Sequence, residues 1–385
     1  MGNKFYTPDG FTDLLPGLCA YKRGLENKLR VLYSLHGYDE IETPGIEYCD
    51  IYTQSGFVPE EELYKFTDSS GRLLCTRYDG TIPAVRFITG RNETFPVRIS
   101  YIENMYRAGK MGGGKQSGFT QAGIELMGAK GAASDAEVLA LAIKSALEIG
   151  ITDLQISVGQ SAFFAGLKSQ MNMTDEQATD ICEAIKRRDS VTIDNQDLKR
   201  EDKDLLLAMT EMSGTYDVLD YFMPKVTDKV ALDALTNLKE ILDIMDKYDF
   251  LKYINIDLGL MGSEEYYTGM IFKGFTYEVG FPIISGGRYD EVSKAFGKDI
   301  SSVGFSISLT LALTALMRQD KLVTEPAASV ICGGDFDAAC MTCEALRAEG
   351  TAAILDTTGL GEEELNEYAK ARGIETVMYL KGGEA

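Results

Sequence analysis

The spacing of apolar residues divides the first part of the chain into predicted helices and strands. Leucines recur every three or four positions in residues 20–35, which predicts an amphipathic helix ended by Gly37. Alternating or continuous apolar runs predict four strands, at 39–44, 73–77, 97–105 and 122–127. Residues 134–148 predict a helix with Ser134 as its N-cap, and the strand pattern returns at 154–158.

The pattern changes near residue 160 and again near residue 320. Residues 161–248 are charged and helical in pattern, which predicts a helical insertion. The pattern then predicts strands and helices in the order 253–260, 270–279, 282–284, 289–296 and 307–317. The sequence therefore predicts an α+β core of residues 1–160 and 249–320, the insertion, and a small βαβαβ module in 327–385.

Composition restricts the class of partner. The chain has 38 basic and 59 acidic residues, a net charge of −21, which opposes binding to the phosphates of tRNA. Seven scattered cysteines favour a reducing cytoplasm, and Cys340 and Cys343 are expected to be helix thiols rather than metal ligands. No apolar run approaches the roughly 20 residues that cross a bilayer. We therefore expect a cytoplasmic protein without a metal, cofactor, tRNA or membrane partner.

Two short stretches predict the lining of a small-molecule pocket. Residues 266–269 are Tyr-Tyr-Thr-Gly, and residues 286–290 are Gly-Gly-Arg-Tyr-Asp. A glycine pair lets the backbone approach a ligand closely. Residues 253–272 contain no Lys or Arg, although a pocket for nucleotide phosphates normally carries positive charge. The pattern indicates a binding pocket from which phosphate chemistry is missing.

Two further residue pairs fit an amino acid with a basic ring. Gln121 and Glu125 lie four apart on a predicted strand and so share a face, where Glu125 can accept a hydrogen bond from an imidazole N–H. Asp79 and Thr81 also share a face and could hold an α-ammonium group together with Gln121. The alternative is that these polar groups only satisfy one another inside a buried sheet.

Five stretches of the chain, taken in their order, resemble histidyl-tRNA synthetases, which are class II aminoacyl-tRNA synthetases. They are residues 37–44, 76–86, 106–125, 266–269 and 286–290. The resemblance covers about residues 5–320 and continues weakly to 380. It implies an antiparallel sheet with flanking helices and a homodimer formed near residues 38–44. It also implies a histidine pocket formed by Asp79, Thr81, Arg107, Gln121, Glu125, Tyr266 and Tyr267.

Several departures from the synthetase pattern fall where the synthetases hold ATP. Gly262 stands where they carry an arginine, and residues 299–317, including Leu311, lack the class-wide arginine that grips ATP. Gly109 replaces a glutamate, Ser117 replaces a second arginine, and three glycines occupy 112–114. Losing one preorganised charge typically slows a reaction about 10²–10³-fold. The combined losses predict that the chain does not activate histidine with ATP.

This combination resembles the synthetase paralogues that serve as regulatory subunits of ATP phosphoribosyltransferase. The resemblance implies a short-form catalytic subunit as partner, no aminoacylation, and feedback regulation by free histidine in the first step of histidine biosynthesis. Two other functions stay open from sequence. One is a divergent but active histidyl-tRNA synthetase, and the other is a stand-alone histidine-binding pseudoenzyme.

Overall fold

The computed structural model of the chain describes residues 7–53, 56–109, 116–262, 266–322 and 328–381. It divides into two compact units, the first comprising residues up to 12 and 25–321, and the second comprising 13–24 and 322–385. Within the described ranges, no helix has the length and apolar character needed to traverse a bilayer.

The helices are numbered in chain order, and six of them occupy the segment predicted to be a helical insertion. The fourteen α-helices of the described ranges are α1 (Pro16–Leu35), α2 (Asp50–Thr53), α3 (Thr81–Thr89), α4 (Ala132–Glu148), α5 (Ser161–Gln170), α6 (Asp175–Arg187), α7 (Ser190–Asp194), α8 (Arg200–Glu211), α9 (Tyr216–Phe222), α10 (Lys229–Lys247), α11 (Asp290–Ala295), α12 (Leu309–Arg318), α13 (Phe336–Ala348) and α14 (Glu362–Arg372).

The strands form three sheets within the described ranges. They are β1 (Asp39–Glu40), β2 (Ile46–Tyr48), β3 (Lys65–Thr67), β4 (Leu73–Thr76), β5 (Val97–Tyr106), β6 (Gly118–Met127), β7 (Gln155–Gln160), β8 (Ile254–Ile256), β9 (Met270–Phe275), β10 (Ile284–Arg288), β11 (Ser302–Ser308), β12 (Val330–Gly334), β13 (Ala353–Leu355) and β14 (Thr376–Leu380). The largest sheet has eight strands in the order β1-β5-β6-β11-β10-β9-β7-β8.

This large sheet is antiparallel except at its two edges. The β1/β5 and β7/β8 pairs are parallel, and every pair between β5 and β7 is antiparallel. On β6, Ala122, Ile124 and Leu126 have no exposed surface. Because side chains alternate along a strand, Gln121 and Glu125 point to the other face of the sheet. The predicted shared face of these two residues is therefore present.

A buried ion pair fixes the segment that leads to Asp79. Arg77 Nη1 lies 2.8 Å from Glu103 Oε1, and both side chains are less than a tenth exposed. Arg77 Nη1 also donates to the carbonyl of Thr43 at 2.7 Å, and the backbone N–H of Thr43 donates to Glu103 Oε1 at 2.6 Å. These bonds compensate the desolvation of both charges, and removing one partner would leave the other buried without compensation.

Two predicted boundaries are wrong in informative ways. Helix α4 begins at Ala132, directly after Gly131 at φ +81°, so Ser134 lies inside the helix and its hydroxyl donates to the carbonyl of Gly131. The strand predicted at 282–284 instead runs over Ile284–Arg288. The glycine pair is therefore inside a central strand, where a Cβ on Gly286 would lie 2.6 Å from the Phe272 ring and from the carbonyl oxygen of Gly304.

The helical segment belongs to the first compact unit rather than forming a separate one. Helix α10 packs against α4 and α5, and its apolar face, including Leu235, Leu238 and Leu242, is buried. Asn237 accepts a hydrogen bond from Gln160 Nε2 at 2.9 Å and donates to Asp135 at 3.4 Å. The segment is thus tied to the sheet through polar as well as apolar contacts.

The second unit contains a three-stranded parallel sheet in the order β13-β12-β14. Alternate residues of β12 face opposite sides, because Cys332 packs with Cys343 on α13 and Ile331 packs with Leu365 on α14. The elements of this unit that follow residue 328 occur in the order β12, α13, β13, α14 and β14. Cys340 and Cys343 lie on α13 as free thiols.

Candidate functional site

A cavity of about 1350 Å³ lies over the face of the large sheet that carries Gln121. Its floor comes from β6, β11, β10 and β9, and its walls come from the segments around Asp79 and Tyr266. The structure brings six of the seven predicted pocket residues into the lining, namely Asp79, Thr81, Arg107, Gln121, Tyr266 and Tyr267. The sequence motifs that are far apart along the chain therefore meet at one site.

The seventh residue, Glu125, lies behind the cavity wall with no exposed surface. Its carboxylate accepts hydrogen bonds from Tyr101, at 3.3 Å, and from Tyr289. A Cβ on Gly304, the residue paired with Glu125 on β11, would collide with the carboxylate, so only glycine leaves room for it. Tyr289 and Gly304 line the cavity at this point. Glu125 therefore acts on the site by holding Tyr289 in place.

The two carboxyl groups of the site differ in protonation. Burial raises the pKa of Glu125 to about 8, although hydrogen bonds from Tyr289, Thr81 and Tyr101 oppose the shift. Burial also raises the pKa of Asp79, to about 6, and the charge of Arg107 opposes this shift. At neutral pH, Asp79 is therefore mostly ionised and Glu125 mostly protonated. Two carboxyls with separated pKa values are typical of a site with distinct roles for each.

Asp79 is held by the start of helix α3. Its Oδ1 accepts the backbone N–H of Ile82 at 3.1 Å, and Thr81 is the first residue of that helix. On the floor, Gln121 Nε2 donates to Ser306 Oγ at 3.3 Å. The buried Oε1 of Gln121 has no partner among the residues that the structure describes. Asp79 and Gln121 together offer acceptors that suit an ammonium group.

Arg107 supplies a cation at the same end of the cavity. Its guanidinium stacks between two rings, 4.4 Å from the centre of Tyr78 and 5.0 Å from that of Phe119. Its Nε donates to the carbonyl of Tyr78 at 3.1 Å. This leaves the two terminal nitrogens of the planar fork for a ligand carboxylate.

The tyrosine pair and the Gly-Gly-Arg-Tyr-Asp stretch form one wall. The Tyr266 ring centre lies 4.8 Å from that of Tyr267 and 6.0 Å from that of Tyr289. The backbone N–H of Thr268 donates to the carbonyl of Arg288 at 2.9 Å. Burial raises the pKa of both Tyr266 and Tyr267, so their hydroxyls stay protonated and can donate or accept hydrogen bonds.

Arg288 points away from the cavity and has a structural role. Its Nε and Nη2 donate to Asp135 Oδ1 at 2.9 and 2.7 Å, and Nη2 also donates to Ser134 at 2.8 Å. Asp135 is 2% exposed. Burial raises the pKa of Asp135, while Arg288 opposes the shift. This ion pair ties β10 to the start of α4 and so supports the wall from behind.

The positions at which the sequence departs from the synthetases also lie at the cavity. Ser117, Gly109 and Leu311 line it, and hydroxyls of Ser308 and Thr310 stand beside Leu311. Gly262 is packed against Tyr267, where a Cβ would lie 2.6 Å from the ring. The glycines at 112–114 lie outside the described residues. Leu311 and Ser117 therefore line the cavity at positions where the synthetases carry arginines.

Sequence reasoning missed Tyr289, Tyr101 and Lys273. Tyr289 lies in the Gly-Gly-Arg-Tyr-Asp stretch, which by itself indicates no role for the tyrosine, and Tyr101 lies outside every motif. Lys273 directly follows the stretch without basic residues and lines the cavity. The alternation of side chains along β9 could have indicated that Lys273 faces the cavity, because it points away from the face that buries Phe272. Over the described residues, no cluster of potential ligands for a metal ion occurs.

Comparison with known proteins shows the family of the chain. A model of the histidyl-tRNA synthetase family matches residues 10–311. The ATP phosphoribosyltransferase regulatory subunit of Acetivibrio thermocellus is 37% identical over 385 residues, covering 97% of this chain and 92% of the relative. The chain belongs to the ATP phosphoribosyltransferase regulatory-subunit family. A second member, from Ruminiclostridium cellulolyticum, is 34% identical over an alignment that covers 99% of this chain and 93% of that relative.

Solved structures confirm the predicted fold class for this family member. A Bacillus halodurans protein described as an ATP phosphoribosyltransferase regulatory subunit/histidyl-tRNA synthetase has a TM-score of 0.89 and 25% identity, over 100% of both chains. Histidyl-tRNA synthetase from Nostoc sp. PCC 7120 has a TM-score of 0.83 and 21% identity, over 97% of this chain and 90% of its own. The class II synthetase-like α+β fold is thus established.

Proposed function

We propose that this chain is the non-catalytic regulatory subunit of an ATP phosphoribosyltransferase that acts in histidine biosynthesis. The names of its relatives support this role. The observation that carries the proposal is the asymmetry of the cavity. The residues of an amino-acid site, such as Asp79 and Gln121, meet at one end, whereas Leu311 and Ser117 line positions where the synthetases carry arginines.

We propose that the ligand of the first end is free histidine. Its α-ammonium group would contact Asp79, Thr81 and the unpartnered Oε1 of Gln121. Its carboxylate would contact Arg107, and its imidazole ring would contact Tyr289, whose hydroxyl is held by Glu125. Each group of the amino acid then meets a partner of complementary charge or hydrogen-bonding type.

The same cavity supports the absence of aminoacylation. Adenylate formation requires that the charge on the phosphates be stabilised in the transition state. Leu311 and Ser117 cannot supply this charge, and Gly262 has no side chain. The charge of −21 also opposes tRNA binding. These features favour a regulatory role over a divergent synthetase.

Regulation follows from linkage. If the chain stabilises an active assembly of the short-form catalytic subunit, histidine inhibits by binding more tightly to a less active assembly. The coupling must be reciprocal, so the catalytic subunit also changes the affinity of this chain for histidine. This reciprocity separates a regulatory subunit from a stand-alone histidine-binding protein, which would ignore the transferase.

The proposal includes a homodimer core formed near residues 38–44. Large apolar side chains flank this segment at the surface, with Leu35 79% and Ile46 50% exposed. Such side chains are typical of an interface. The seven free cysteines are consistent with action in the cytoplasm.

The test is to add the purified chain to the short-form catalytic subunit and to measure phosphoribosyl transfer with and without histidine. We expect a gain in rate on mixing and inhibition by histidine. The Asp79→Ala variant should still raise the rate but lose sensitivity to histidine, because it lacks the contact with the ammonium group. Absence of any gain with the wild-type chain would refute the regulatory role.

A further inference from the structure

Lys273 is a cation in the cavity that takes part in none of the proposed contacts with histidine. It lies on β9, is partly buried, and lines the cavity. Among the residues that the structure describes, no hydrogen-bond or ion-pair partner of Lys273 is found. Its ammonium group therefore has donors available for an acceptor that a ligand brings.

Two serines extend Lys273 into a row of donors across the sheet floor. Ser285 on β10 pairs directly with Lys273, and Ser306 on β11 pairs directly with Ser285. Side chains of directly paired residues lie on the same face, with Cβ atoms about 4.5–5.5 Å apart. All three residues line the cavity. One ammonium group and two hydroxyls can therefore donate to the same ligand group.

Lys273 and Ser285 lie apart from the amino-acid end, and Ser306 lies at its border, where its Oγ accepts from Gln121 Nε2 at 3.3 Å. Along the row, the residue of β6 paired with Ser306 is Gly123, which stands between Gln121 and Glu125. Lys273 is three strands away from Gly123, which is about 14 Å at the usual spacing of strands. The cavity of about 1350 Å³ also exceeds the roughly 300–1,000 Å³ of common ligand pockets. It has room for a second ligand beside an amino acid.

The chemistry of the row favours one phosphate group on a hydroxylated skeleton. Three donors suit the terminal oxygens of a phosphate monoester. The hydroxyls of Ser308, Thr310 and Thr314 in the same lining suit sugar hydroxyls. A triphosphate would need more cations, and the carboxylates of Glu61 and Glu62 in the lining disfavour high negative charge.

We propose that Lys273 and Ser285, together with Ser306 at the border of the amino-acid end, form a second binding site in the cavity, for a small sugar phosphate. The site is a property of this chain alone and does not depend on the proposed regulatory role. Lys273 neutralises the phosphate, and the two serines donate to its oxygens.

The test is calorimetric titration of the purified full chain with ribose 5-phosphate, using ribose as the matched neutral probe. We expect binding of ribose 5-phosphate and none of ribose. Lys273→Gln should weaken binding about tenfold or more, as expected for a charged hydrogen bond. Lys273→Arg keeps the charge and should stay within about threefold of the wild type. Failure of the wild type to bind at millimolar ribose 5-phosphate, or equal binding by Lys273→Gln, would overturn the proposal.

Two further measurements separate a lost site from a lost fold. Lys273→Gln should keep the thermal melting temperature of the wild type. If it melts lower, Ser285→Ala carries the test instead, with an expected loss of about threefold to tenfold. Lys273→Gln should also bind histidine within about threefold of the wild type, because the two ends are far apart. Equal loss of both ligands in a stably folded Lys273→Gln chain would show one site rather than two.

Discussion

The two ends of the cavity rest on the same sheet but differ in how their polar groups are held. At the amino-acid end, Glu125 is bonded to Tyr101 and Tyr289. At the other end, Lys273 has no partner among the described residues, and hydroxyls such as Ser308 line the wall. One fold thus carries a preorganised end beside an end stripped of phosphate-binding arginines. The function is set by these side chains and not by the sheet.

The preorganised end depends on contacts outside the cavity. Arg288 and Asp135 form a buried ion pair that fixes β10 against α4, and Gly304 makes space for Glu125. Removing these supports should therefore damage the amino-acid end more than an equivalent change elsewhere. The following variants test this difference, in order of expected effect.

Asp135→Ala should produce the largest loss of stability. It leaves the buried guanidinium of Arg288 with only the longer contact to Asp290 Oδ1, at 3.4 Å, and breaking a buried ion pair typically lowers the free energy of unfolding by about 3–5 kcal/mol. Urea denaturation measures the change. Asp153→Ala is the matched control, because Asp153 pairs with Lys321 at the surface. Its effect should stay below about 1 kcal/mol. Similar losses in the two variants would contradict the structural role of Arg288.

Glu125 should make stability depend on pH between about 4.5 and 8. Its pKa in the folded chain, about 8, lies above the ordinary value of 4.5, so the folded state holds this proton more tightly. The resulting stabilisation is fully present below pH 4.5 and is lost as the pH rises through 8. Between pH 5 and 9, the free energy of unfolding of the wild type should therefore fall further than that of Glu125→Gln. The difference should be on the order of a few kcal/mol. Parallel pH profiles for the two chains would contradict this.

Glu125→Ala should also weaken histidine binding. Removing the Glu125 carboxyl leaves the buried hydroxyl of Tyr289 without its partner, and a loss of this kind typically lowers affinity roughly 10- to 100-fold. Calorimetric titration measures the affinity. Glu137→Ala is the control, because Glu137 bonds Arg98 and Tyr38 and does not line the cavity. Wild-type affinity in Glu125→Ala would show that the pocket residues only satisfy one another.

Strong local periodicity made much of the fold predictable from sequence. Alternation predicts both long strands clearly. The strand Val97–Tyr106 ends one residue later than predicted, and the strand Gly118–Met127 begins four residues earlier than predicted. Ser134 was wrongly predicted as an N-cap, because Gly131 at φ +81° starts the helix earlier without a capping side chain.

The parts of the site that sequence could not predict depend on long-range packing. Tyr289 and Glu125 are 164 positions apart, and Arg288 and Asp135 are 153 apart, so no local pattern connects them. Lys273 is not predicted as a site residue, because it lies one residue beyond the stretch 253–272 that lacks basic residues. Only the pairing of β9 with β10 places it beside Ser285 in the cavity.

We propose that the chain keeps an amino-acid site but cannot activate the amino acid. ATP–pyrophosphate exchange measures this activity in a sample that calorimetry shows to be saturated with histidine. We predict no histidine-dependent exchange above the rate without protein, because Leu311 and Gly262 stand where the synthetases place two arginines that stabilise the phosphates. Histidine-dependent exchange would contradict the account and indicate an active synthetase.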